Sequence, residues 1–157
     1  MAMMPALLLC FACSSRVIPP NPPPHLADAV NTQAARVGDL TPVSDLVAGV
    51  THDEDESFTL QVPLKMNKCY YFSVAADQTV DEMKLYLFNG NGKRTLTKEE
   101  KGQALLANFC VTGQVVVAGW GWGTSIASAS PGLYKIELKT TEGYGHVHIR
   151  VFSKSTE

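Results

Sequence analysis

KCYYFSVAADQTVDEMKLYLF, residues Lys68–Phe88, is the stretch whose reading decides the fold. Tyr70, Phe72 and Val74 alternate with Cys69, Tyr71 and Ser73, and Leu85 and Leu87 alternate with Tyr86 and Phe88. A period of two places successive side chains on opposite faces of an extended chain, so each run reads as a β-strand. A polar turn joins the two strands.

The same texture spreads outward in both directions. Phe58, Leu60, Val62 and Leu64 share one face of a strand, and Pro63, which has no N–H to donate, places that strand at a sheet edge or ends it there. After Phe88 comes Asn89-Gly90-Asn91-Gly92, a tandem of the dipeptide that supplies positive φ to tight hairpin turns. Arg94–Lys98, Leu105–Val111 and Gln114–Ala118 read as further short strands. Leu133–Lys139 turns Tyr134, Ile136 and Leu138 to one side. His146–Phe152 turns Val147, Ile149 and Val151 inward against His146, His148 and Arg150. Seven to eight short strands separated by turn residues predict an all-β antiparallel sandwich or jelly roll.

The chain has 157 residues, which is enough for one such core together with a leader and a linker. Its formal net charge is −2 and its 13 Lys and Arg residues are scattered, which argues against a nucleic-acid surface. No GxSxG, HExxH, P-loop or GxGxxG pattern occurs, so the sequence predicts no catalytic residues, no metal site and no cofactor.

The N-terminus predicts a location. Pro5–Ala12 is an apolar block, too short for the roughly 20 residues a bilayer span needs. It ends in small residues and turns abruptly polar, as a secretory signal does. Ala12-Cys13 after a Leu-rich run resembles a bacterial lipobox, which implies cleavage before Cys13, a lipid on its sulfur, and anchorage in the cell envelope, most simply at the outer membrane. A plain secretory signal, with a secreted or periplasmic product, is the alternative. VIPPNPPPH, residues Val17–His25, carries five prolines and predicts an extended tether. Leu26, Ala29, Val30, Ala34 and Val37 then recur at helical spacing, with Gly38 as a stop. The expected organisation is a signal peptide over 1–12, a lipidation site and linker over 13–25, a short helix over 26–39, and the sandwich over 40–157.

The KCYYF strand, the DEMKLYLF strand, the NGNG turn, the NFC strand and the closing PGLYKIELKT–EGYGHVHIRVF pair resemble bacterial pre-peptidase C-terminal domains. The resemblance covers roughly residues 46–153. It implies a β-sandwich attached to exported proteins, and a secreted subset shares a Cys before the aromatic strand and a Cys in the position of Cys110. In an oxidising compartment Cys69 and Cys110 are expected to form a disulfide. Two buried thiols are the alternative.

Three stretches carry candidate chemistry. Gly119-Trp120-Gly121-Trp122-Gly123 sets two indoles at a period of two on a loosened backbone, a candidate binding surface for a sugar ring or a protein. His146-x-His148 has metal-ligand spacing, but reads more simply as a solvent-facing polar row. His52–Glu56 reads as a charged turn leading into the Phe58 strand. Together these predict a non-catalytic envelope lipoprotein carrying a binding module, with an envelope protein as partner or, as the alternative, a glycan held by Trp120 and Trp122.

Overall fold

The computed structural model describes residues 21–52, 56–112 and 129–156, with the side chain of His52 excepted. The signal block, Cys10, Cys13, the Gln114–Ala118 stretch, residues 53–55 of the acidic run, and Trp120 and Trp122 lie outside the described residues.

Among the described residues one helix and eight strands form: α1 (His25–Ala35), β1 (Thr41–Pro42), β2 (Val47–His52), β3 (Phe58–Leu64), β4 (Lys68–Ala76), β5 (Val80–Phe88), β6 (Arg94–Lys101), β7 (Ala104–Val111) and β8 (Gly132–Ser155). All strand pairings are antiparallel. The architecture is the expected all-β sandwich, and β8 is the element that makes it one. Its first half lies between β3 and β5 in one sheet, with β6 beyond β5. Its second half lies between β2 and β4 in the other, with β7 beyond β4 and β1 at the end of β8. The sequence predicts two closing strands, whereas the chain runs through both sheets without interruption. Gly143 (φ 87°) and Gly145 (φ 154°) occupy the crossing, where the backbone adopts values that L side chains resist.

Between the sheets lies one apolar core. Tyr70, Phe72, Val74, Leu105, Val147, Ile149 and Val151 meet Val62, Leu64, Met83, Leu85, Leu87, Tyr134, Ile136 and Leu138 across the interface. These are the inward positions that the alternation specifies. Among the described residues β3 pairs with β8 alone, which makes it an edge strand there, with Pro63 on it.

β1 and β2 carry no clear alternation in the sequence. By register Val47, Gly49 and Thr51 of β2 share the core face with Ile149, Val147 and Gly145, and the middle one has no side chain. The Phe58 ring fills that space: a Cβ on Gly49 would lie 2.3 Å from it. The inward face of β2 is completed by another strand's side chain, which a local pattern does not show.

α1 docks on the outer face of the sheet that contains β4. Leu26, Val30 and Ala34, one turn apart each, are buried there with Ala75 and Phe152. The helix has no side-chain cap and would be marginal in isolation. It is fixed instead by tertiary bonds: buried Ser73 donates its hydroxyl to the Val30 carbonyl at 2.8 Å, and Arg150 Nη1 donates to Asn31 Oδ1 at 3.2 Å. The helix stops short of Val37, which lies exposed beyond it.

Candidate functional site

The NGNG turn builds one wall of a sizeable cleft. Asn89 organises the turn by itself. Its Oδ1 accepts the N–H groups of Asn91 (3.0 Å) and Lys93 (2.9 Å), and its carbonyl accepts the N–H of Gly92, where φ is 76°. The turn leans on the start of β8, so a Cβ on Gly90 would lie 3.6 Å from the Leu133 carbonyl. Between them is a cleft of about 540 Å³ lined by Asn89–Asn91, Lys93–Thr95, Phe109, and Ala129–Gly132 with Tyr134. That volume lies within the range of roughly 300–1,000 Å³ that suits small-ligand sites.

Aromatic rings form its floor. Phe109 and Tyr134 sit with ring centroids 5.6 Å apart, tilted by 56°. Burial raises the Tyr134 phenol above its ordinary pKa, and its hydroxyl donates to the Ser130 carbonyl at 2.7 Å, tying the segment before β8 to the floor. Arg94 and Lys135 extend the arrangement onto the neighbouring sheet face, where they lie over Tyr86 (5.4 Å) and Phe88 (4.6 Å).

The connection carrying Trp120 and Trp122 returns to the described residues at this cleft. Phe109 lies just before its departure from β7, and Ala129, at its return, lines the cleft directly. The indole positions themselves lie outside the described residues. Sequence reasoning singled out the NGNG turn as a turn only; its role as a wall follows from the register of β5 against β8, which is long-range.

A second polar cluster lies at the opposite end of β5, where β4 hands over to it. Asp77 receives three hydrogen bonds: from the Thr79 N–H (3.0 Å) and hydroxyl on Oδ1, and from the His146 N–H (2.9 Å) on Oδ2. Burial alone would raise its pKa, but these bonds and the nearby His146 outweigh it and hold the carboxyl below the ordinary value. Asp77 also accepts no side chain at position 145: a Cβ there would lie 2.4 Å from its oxygen. This cluster locks the β8 crossing to the β4–β5 turn.

His146 and His148 correct the sequence reading. They do point away from the core, but they are 5% and 6% exposed, so they form no solvent-facing row. His148 is in register with Ala75, which α1 helps to bury, so outward does not mean wet on this face. Both ring nitrogens of His148 are buried with no hydrogen-bond partner. Burial first, and the neighbouring His146 second, lower its pKa from the ordinary histidine value. No group of three or more His, Cys, Asp or Glu close enough to hold a metal occurs among the described residues.

A pH prediction follows. The folded state holds His148 neutral, whereas the unfolded chain protonates it near its ordinary pKa of about 6.5. Its contribution is therefore complete above that value and is lost as pH falls through it towards the lower folded pKa. Denaturant midpoints measured from pH 7.5 to 5 should decline, and His148→Leu should flatten the decline. An unchanged slope in that variant would remove His148 as its source. Asp77, with a depressed pKa, weakens the fold only at more acid pH, below about 4.

Cys69 and Cys110 are joined as expected. They face each other in register on β4 and β7, on the outer face, with their Cα atoms 3.9 Å apart. On the other sheet the charges pair locally, Lys84 with Glu99 (2.9 Å) and Glu137 with Lys135 (3.5 Å) and Lys139 (3.4 Å).

No protein-family model matches this chain, and no curated protein matches it. Its functional reading therefore rests on the site itself.

Proposed function

We propose that the protein is a non-catalytic binding module of the bacterial cell envelope, tethered through a lipid on Cys13, and that it holds a glycan in the cleft beside the NGNG turn. The observation that carries this reading is the cleft of about 540 Å³ with an aromatic floor, lined at Ala129 by the return of the connection that bears Trp120 and Trp122. A sugar ring presents apolar C–H faces and polar edges. A site that takes it combines aromatic rings with fixed hydrogen-bonding groups, as the floor and the amide-rich turn do. The resemblance to pre-peptidase C-terminal domains supports an exported module, and the disulfide suits an oxidising compartment.

A second reading, an envelope protein as partner, is favoured by Leu133. It is a large apolar side chain left 52% exposed beside the cleft, and such a group suits a protein contact.

Trp fluorescence of the full chain, titrated in turn with a muropeptide, chitohexaose and an oligogalacturonide, tests the glycan reading. A saturable shift with one of them is expected. Asn91→Phe, which fills the cleft from an exposed turn position, should weaken it at least tenfold at an unchanged Tm. Binding that survives Asn91→Phe, or no response to any of the three, would move the protein partner to the front.

A further inference from the structure

The charges around the cleft are unbalanced. Among the described residues its lining holds two cations, Lys93 and Arg94, and no carboxylate. Elsewhere on the same strands Lys84 pairs with Glu99, Lys98 with Glu100, and Lys135 and Lys139 with Glu137. Among the described residues neither Lys93 nor Arg94 has an ion-pair partner, and both side chains are exposed. An overall basic composition does not account for this, because the chain carries a formal net charge of −2.

The two cations are also placed differently. Lys93 follows the Asn89-capped turn, and its backbone is fixed in both directions, N–H to Asn89 Oδ1 (2.9 Å) and carbonyl to the Asn89 N–H (2.9 Å). Arg94 lies over the Tyr86 ring at 5.4 Å. A guanidinium stacked in this way loses little freedom on binding and keeps its in-plane N–H groups for a planar or tetrahedral anion. Beside them, half-buried Phe109 offers a ring face with Tyr134 packed behind it.

We propose that the ligand of this cleft is an anionic sugar, its ring against Phe109 and its acid group between Lys93 and Arg94. The proposal rests on the cleft being the ligand site. A carboxylate and a phosphate substituent share the chemistry that these two cations recognise. A nucleic acid does not fit, since two cations in an acidic chain give no track for a phosphate backbone.

Calorimetric titration of the full chain at low salt separates the possibilities, with three probes: trigalacturonate, its neutral methyl ester, and mannose 6-phosphate. Binding of trigalacturonate or mannose 6-phosphate is expected, with the ester at least tenfold weaker, and the better of the two anions identifies the substituent. Lys93→Gln with Arg94→Gln should weaken the anion at least tenfold and leave Tm unchanged, because both side chains are exposed. Raising the salt should weaken it too, as exposed charges are screened. Equal binding of the ester overturns the anionic ligand while leaving the cleft reading standing, provided Asn91→Phe still blocks it. Anion binding that is indifferent to the double substitution overturns the proposal, since the anion then sits elsewhere. No heat with any probe also overturns it, and the muropeptide and chitohexaose titrations then decide the cleft reading separately.

Discussion

Gly143→Ala is expected to destabilise the protein by about 3 kcal/mol or more, of which positive φ alone accounts for roughly 1–3 kcal/mol. At φ 87° an L side chain is strained before it meets anything. Here the added Cβ would also lie 2.0 Å from the Thr79 carbonyl oxygen and 3.0 Å from Val80 Cα. Those are backbone atoms of the β4–β5 turn, which cannot swing aside as a flexible side chain can. The same carbonyl accepts the Tyr144 N–H at 3.2 Å, and the Thr79 hydroxyl lies against the Tyr144 carbonyl. Relieving the clash would thus break the bonds that fix the crossing of β8 from one sheet to the other. The Tm should fall by roughly 10 °C for a chain of this size.

Gly38→Ala is the control. Gly38 also has positive φ (131°), but a Cβ there would have nothing within 4 Å. It isolates the conformational cost, expected at about 1 kcal/mol. If the two variants lost equal stability in urea titrations, the close approach at Gly143 would contribute nothing, and the crossing would be less tightly built than described.

The second large effect belongs to the disulfide. Cys69 and Cys110 are separated by 41 residues, and closing a loop of that length lowers the entropy of the unfolded chain by an amount worth about 4 kcal/mol. Both residues are half-buried on the outer face, so serine in their place opens no cavity in the core. The loss should therefore arise almost wholly in the unfolded state. Cys69→Ser with Cys110→Ser and the reduced wild type should show the same drop, roughly 10 °C in Tm, with little change in the folded-state spectrum. A double variant as stable as the oxidised wild type would mean that this bond does not constrain the unfolded chain.

Much of the sandwich could be read from the sequence because burial follows alternation where both strand faces have contrasting surroundings. Tyr70-Phe72-Val74, Leu85-Leu87 and Tyr134-Ile136-Leu138 all face the core as their spacing requires. The hairpin at Asn89 was legible for a different reason, since positive φ and a side-chain acceptor are local needs. Three features were not local. β2 hides its inward face because Gly49 leaves room for Phe58, a residue on the opposite sheet. His146 and His148 alternate like a wet row, yet this face of the sheet is covered in part by α1, whose docking no pattern within β8 reveals. The continuity of β8 through Glu142-Gly143-Tyr144-Gly145 reads locally as a turn, because glycine serves a strand that changes sheets as well as one that ends.

The cleft was the least legible of all. Its walls come from residues 89–95, 109 and 129–134, and only the pairing of β5 with β8 and of β4 with β7 brings them together. Trp120 and Trp122, which composition singles out, lie outside the described residues, on the connection that returns at Ala129 beside the cleft.

The central claim is that this cleft is where the partner engages, and backbone amide shifts test it most directly. Nitrogen-15 labelled full chain would be titrated with trigalacturonate, a muropeptide and chitohexaose in turn. The account predicts that one of them moves the amides of residues 89–95 and 130–134, while those of β2 and α1 stay in place. Shifts concentrated on β2 or α1, or none with any of the three, would contradict it.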